Sequence, residues 1–146
     1  MKIDIERISE GEESIRIRYK DRTPAITRIL EILENDGTKL WGKWEDETVC
    51  VSCGDILYLE SVDDKVFACT ADKTLKIDAS LTAFLLETAD ESFFRCSKSM
   101  VINVGRVVSL KSLSSNRIDA TLENGEHIII SRRYAVEFRR LLKGER

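Results

Sequence analysis

Residues 93–131, FFRCSKSMVINVGRVVSLKSLSSNRIDATLENGEHIIIS, decide the reading of this chain. Phe93 and Phe94 enter a core, Arg95–Ser99 interrupt it with polar side chains, and Met100-Val101-Ile102 re-enter it. Residues 107–113 and 116–122 read as successive strands, and His127 to Ser131 as a return strand. Between them Glu123-Asn124-Gly125-Glu126 is the strongest hairpin signal in the sequence. It is read as a type I′ turn, which requires φ > 0 at both central positions. A basic helix follows, with Ser131 as its cap, Tyr134, Phe138 and Leu141 at i, i+4, i+7, and Arg139, Arg140 and Lys143 near its C-terminal end.

Upstream of this stretch the pattern is short strands from Lys39 onward. Residues 47–52, 56–61, 66–70 and 75–77 each fit a strand, separated by Gly54-Asp55 and Val62-Asp63-Asp64-Lys65 turns. Ser80 caps a short helix that turns Leu81, Phe84 and Leu85 inward. Further back, residues 2–9 and 14–20 alternate apolar and polar, with Ile3 and Ile5, then Ile15, Ile17 and Tyr19, on one face. A helix follows them, capped by Thr23, opened by the single proline Pro24, and ended at Asn35-Asp36-Gly37. The expected organisation is an N-terminal β-β-α unit over residues 1–38 and a second unit over 39–146. The fold class is mainly β with short helices, α+β overall.

Composition narrows the function. No apolar run approaches 18 residues, which argues against a membrane-spanning helix, and the charged N-terminus does not resemble a secretory signal. The chain is expected to be cytoplasmic. The net charge of −3 hides an asymmetry: residues 93–146 hold 11 Lys/Arg against 5 Asp/Glu, net +6, whereas residues 1–92 hold 12 against 21, net −9. Such a split points to a basic face turned toward a polyanion. Cys50 and Cys53 form a C-x-x-C, but zinc would require about two further ligands, and His127 is the only histidine. A redox C-x-x-C opens a helix, whereas these cysteines lie in strand and turn, with sulfurs expected on opposite faces. All four cysteines are read as structural thiols. A lone His offers no nucleophile–base–orienter set.

From residue 44 to residue 143 the chain resembles the LytTR DNA-binding domain, a β-rich module of bacterial transcription regulators. The matching pieces are GDILYLES at 54–61, DASLTAFLLE at 78–87, FFRCSKSMVIN at 93–103, the strand around Val107, and LENGEHIIISRRY at 122–134, in family order. The resemblance implies an elongated arrangement of small β-sheets whose loops enter successive major grooves of double-stranded DNA. It implies three reading elements: Lys65 after YLES; Ser97 and Lys98, with Arg95 and Ser99 beside them; and Arg132 and Arg133 in the loop before the last helix. Many members carry His where this chain has Ser97, and the YLES loop is acidic here through Asp63 and Asp64, so the sequence read is expected to differ.

The residues support that implication on physical grounds. Arg and Lys donate to guanine O6 and N7 in the major groove. Lys98, in a polar interruption between core residues, is better explained by contact than by packing. Arg106, Lys111 and Arg117 are candidates to neutralise phosphates, whereas Arg139 and Arg140 read as a solvated helix face. Residues 1–36 are too short for a receiver domain, so the chain resembles the stand-alone regulators of the family. These are often paired with a small membrane protein. The expectation is a homodimeric, sequence-specific regulator without cofactor or small-molecule substrate, with residues 1–36 in the dimer contact. The rival readings are a protein-interaction or anti-regulator module that keeps the fold without DNA binding, and a thiol redox enzyme using Cys50 and Cys53.

Overall fold

A computed structural model describes residues 2–35, 39–88 and 92–143. After the helix α1 (Pro24–Asn35) come β1 (Lys39–Trp44), β2 (Glu47–Ser52), β3 (Tyr58–Val62), β4 (Lys65–Cys69) and β5 (Thr74–Ile77). The helix α2 (Leu81–Thr88) is followed by β6 (Phe93–Ser97), β7 (Met100–Asn103), β8 (Val107–Ser112), β9 (Ile118–Leu122), β10 (His127–Ile130) and the helix α3 (Arg132–Leu142). The strands form a seven-stranded sheet ordered β2-β1-β5-β4-β3-β7-β6 and a three-stranded sheet ordered β10-β9-β8. Ladder pairing is antiparallel throughout. The β1–β2 hairpin joins its sheet through one pair, Lys43 opposite Lys76. Gly42 beside that junction is required by close packing, since a Cβ there would lie 2.9 Å from the Cβ of Leu75.

The β3–β7–β6 end of the large sheet has a core packed against each of its faces. On one face Leu59, Val101 and Phe93 pack with Leu81 and Phe84 of α2. On the other, Leu57, Cys96 and Ile102 pack with Ile118, Ala120 and Leu122 of the small sheet and Ala135 and Phe138 of α3. The adjacent Phe93 and Phe94 are therefore divided between two cores. Phe93 meets Phe84 edge-on at 4.9 Å, and Phe94 meets Phe138 at 5.3 Å. Asn103 is the buried polar residue of this region; its Nδ2 donates to Ile56 O at 2.8 Å and its Oδ1 accepts from Gly105 N at 3.1 Å.

Helix starts follow the sequence. Thr23 Oγ1 accepts from Ile26 N and Ser80 Oγ accepts from Ala83 N, capping α1 and α2. Ser131 occupies the cap position of α3, but its hydroxyl makes no cap bond; its carbonyl accepts from Tyr134 and Ala135. The expected helix end at Asp36-Gly37 lies outside the described residues.

Three expectations are corrected. Residues 2–9 and 14–20 form no strand, and Ile3, Ile5 and Ile15 are 75%, 92% and 73% exposed. Alternation prepares a strand, but a strand exists only with a hydrogen-bonded neighbour, and neither segment pairs with a sheet here. The expected set of small sheets is instead one large and one small sheet. The Asn124-Gly125 turn is not type I′, because only Gly125 has positive φ, +88°. Asn124 Oδ1 instead accepts from Glu126 N at 3.1 Å, and Gly125 N bonds Leu122 O, an Asx-supported turn with glycine in the left-handed position. The type I′ signature of two positive φ values falls at Asp63 (51°) and Asp64 (62°), joining β3 to β4.

Cys50 is exposed, whereas Cys53, Cys69 and Cys96 are buried and all four are free thiols. Burial raises the Cys69 thiol and pushes Cys96 up to about 12, against an ordinary value of 9.0. Because the folded state holds the Cys96 proton more tightly, its stabilising effect is complete below about pH 9 and is lost as pH climbs toward 12. Alkaline titration of unfolding should show that decline, and a thiol reagent at neutral pH should label Cys50 alone until the chain is unfolded. Asn103→Ala leaves Ile56 O without its side-chain donor in the core and is expected to cost about 1–3 kcal/mol in urea unfolding; a loss under about 0.5 kcal/mol would show the carbonyl finding another donor.

Candidate nucleic-acid interface

The seven residues expected to meet DNA lie on two hairpin turns and one helix start. Lys65 opens β4 directly after the Asp63-Asp64 turn and is exposed. Arg95 and Ser97 end β6, and Lys98 and Ser99 form the exposed turn into β7. Arg132 and Arg133 were expected in the loop before α3; they are instead its first two residues, both exposed.

Backbone bonds converge on the β6–β7 turn. Ser61 N of the first hairpin donates to Ser99 O at 2.8 Å. Ser131 N, one residue before Arg132, donates to Cys96 O at 2.8 Å. The turn between them is thus joined to both other elements through main-chain atoms, which hold position better than long side chains do. A register shift between Arg95 and Ser97 places Cys96 as the extra residue of a bulge. Its sulfur is fully buried and its Sγ–H points at Met100 O, 3.5 Å away. A bulge of this kind re-aims the residues that follow it, here Ser97 and Lys98.

Arg95 braces the turn from below. Its guanidinium donates to Lys98 O at 2.6 Å, Ser97 O at 3.3 Å and Thr82 Oγ1 at 3.0 Å. These acceptors are neutral, so the turn is rigid while the Arg95 charge stays uncompensated. The ammonium groups of Lys98 and Lys65 have no hydrogen-bond or ion-pair partner among the described residues. Lys65, Arg95 and Lys98 line one open cleft of about 620 Å³, with Asp64 and Asp78 also on its wall. Arg132 and Arg133 do not line it. They stand in the first turn of α3, which carries no acidic residue, where cations oppose the helix dipole. Packing gives no reason for two arginines there, and the Arg133 guanidinium lies over the Tyr134 ring at 5.5 Å.

Other cations expected at phosphates have different surroundings. Arg106 is an internal tie: its Nε donates to Gly54 O at 2.8 Å, and it pairs with Glu123 at 3.1 Å and Asp55 at 3.6 Å. Two carboxylates compensate that charge, so Arg106 joins the loop before β3 to the small sheet and is not a free cation. Arg117 donates to Ser114 O at 3.3 Å, and Arg139, read as part of a solvated helix face and not as a phosphate contact, donates to Asn116 Oδ1 at 2.7 Å. No local pattern marks Thr82 or Ser61 as supports, because both act on residues distant along the chain.

Nothing in the rest of the described surface competes as a reaction centre. His127 Nδ1 lies 3.0 Å from Asp119 and 3.2 Å from Thr121 Oγ1. Both contacts use the same ring nitrogen, so the imidazole cannot relay a proton between a hydroxyl and a carboxylate.

A model of the LytTr DNA-binding domain matches residues 46–143. The sensory transduction protein LytT of Bacillus subtilis is 26% identical over 134 residues, covering 90% of this chain and 56% of that protein. LytT of Bacillus anthracis is 26% identical over 99 residues, 68% of this chain and 40% of the relative. The transcriptional regulatory protein YpdB of Escherichia coli O6:H1 is 27% identical over 122 residues, 82% and 47% respectively. The chain therefore spans about half the length of these relatives. Among solved structures, the LytTr DNA-binding domain of a methyl-accepting/DNA response regulator from Bacillus cereus superposes with a TM-score of 0.69 at 28% identity. That match covers 72% of this chain and 96% of the other. With the family model spanning residues 46–143, from β2 to just past α3, this chain belongs to the LytTR family of DNA-binding domains.

Proposed function

We propose that the chain is a sequence-specific transcription regulator that reads repeated half-sites of double-stranded DNA as a homodimer. One observation carries the reading. Lys65, Lys98 and Arg133 project from three sequence-distant elements that main-chain bonds tie to one hairpin, and no carboxylate among the described residues pairs with them. The Ser97-Lys98 turn and the Arg132-Arg133 helix start reach base edges, with Lys65 and Ser99 beside the first. Arg95 holds the turn for that contact. Rigid turns make this economical, since little backbone ordering remains when DNA binds. No catalysis, cofactor or small-molecule substrate enters, and a DNA target implies a cytoplasmic protein.

The N-terminal segment belongs to the same proposal. Ile3, Ile5 and Ile15 alternate outward on unpaired backbone, and Ile32 and Leu33 of α1 are also exposed. A second copy that supplies the missing ladder would cover them, since unpaired alternating segments are templates for pairing. A small membrane-protein partner, implied by the likeness to stand-alone members, would be found by co-purification from membranes.

On duplex selected from a random pool, log affinity is expected to fall linearly with log salt, with a slope near −0.9 for each phosphate contact. Lys98→Ala and Arg133→Ala should each erase about 1–3 kcal/mol of the preference for selected over random duplex. Retained preference in both variants would remove them from the reading surface, and Arg106→Ala should instead lower thermal stability with the preference intact. For the dimer, Ile5→Asp with Ile15→Asp is expected to halve the mass found by light scattering; an unchanged mass would place the subunit contact elsewhere.

A further inference from the structure

The cleft that brings Lys65, Arg95 and Lys98 together contains a fourth cation outside the reading set, Lys76 on β5. We infer that Lys76 is a phosphate-holding residue, and that the cleft seats one backbone phosphate of the DNA whose groove receives the Ser97-Lys98 turn. The inference rests on the DNA-reading function proposed above and adds the backbone contact that would fix its register.

The geometry follows from the strands. Lys76 pairs across the β4–β5 ladder with Phe67, and Lys65 stands two residues before Phe67, so both lysines occupy the same face of the sheet. Their neighbours Val66 and Ile77 turn the other way and are buried. Neither ammonium has a partner among the described residues, nor does that of Lys98. Arg95 adds a charge whose acceptors are all neutral.

Four cations against Asp64 and Asp78 leave the cleft at net +2. Lys73, by contrast, is compensated by Asp72 at 3.1 Å and Arg106 by two acids. A phosphodiester, with its single negative charge, neutralises part of that excess. Phosphate contacts position a protein on the duplex without reading sequence, so Lys76 would differ in kind from Lys98.

The test compares wild type, Lys76→Ala, Lys76→Gln and Asp78→Asn on selected and random duplexes of equal length across a salt series, with thermal unfolding measured in parallel. Both Lys76 variants should bind the two duplexes about fivefold more weakly at 0.15 M salt, and the slope should shrink by about 0.9, as loss of one counterion-releasing contact requires. Asp78→Asn should strengthen binding to both. Unfolding should be unchanged, since the replaced side chains are exposed. If wild type shows steep salt dependence while the Lys76 variants match its affinity and slope, the inference fails and the DNA reading stands. A loss confined to the selected duplex would make Lys76 a base reader and overturn the phosphate assignment. A wild type with no salt-dependent binding would overturn the DNA reading and this inference together.

Discussion

The turn between β6 and β7 depends on two main-chain hydrogen bonds, Ser61 N to Ser99 O and Ser131 N to Cys96 O, each 2.8 Å long. The first carries the β3–β7 pairing out toward the tip of the hairpin that bears Lys65. The second fixes the start of α3, whose Ala135 and Phe138 are packed in the same core, against β6. Each bond crosses between elements far apart in sequence, so the surface they define is a product of tertiary folding. The cost of ordering it is met when the chain folds, not when a ligand arrives.

That hairpin is held because it is the layer shared by both cores. Phe93 and Val101 face α2, whereas Phe94, Cys96 and Ile102 face α3 and the small sheet. Bracing comes from outside the layer as well: Asn103 ties β7 to Ile56, Arg106 ties the loop before β3 to the small sheet, and Tyr58 donates to Glu126 across the sheets at 2.9 Å. Burial, with those bonds to Glu126 and to Cys69, raises the Tyr58 hydroxyl well above its ordinary value, so it remains a donor at all ordinary pH. Polar groups in this region are connected to partners, which favours one arrangement of the turns over several.

Much of this was legible in the residues. Alternation and turn residues located β2–β5 and β8–β10, because each of these strands finds its neighbour within the chain, whereas β6 and β7 were legible only as core entry on either side of a polar turn. Thr23 and Ser80 marked helix starts since capping is local chemistry. Residues 2–23 failed the same reading for the opposite reason: their pattern is that of strands, but pairing is a property of neighbours. At Asn124 the side chain bonded its own turn and changed the turn type. The site divides in the same way. Lys98 could be found from its polar setting between core residues, whereas the bracing role of Arg95 depends on Thr82 and the compensation of Arg106 on Asp55 and Glu123, contacts that no local pattern encodes. Lys76 carries no signal of its own in the sequence, and only the cleft distinguishes it.

Whether the three tied elements act as one DNA-facing surface is tested most directly by amide hydrogen exchange of the full chain with and without a duplex selected from a random pool. Slowed exchange at residues 63–65, 97–99 and 131–133 together, with the exposed face around Asp119 and His127 unchanged, is the predicted result. Slowing confined to one of these segments, or centred on the Asp119–His127 face, would contradict it.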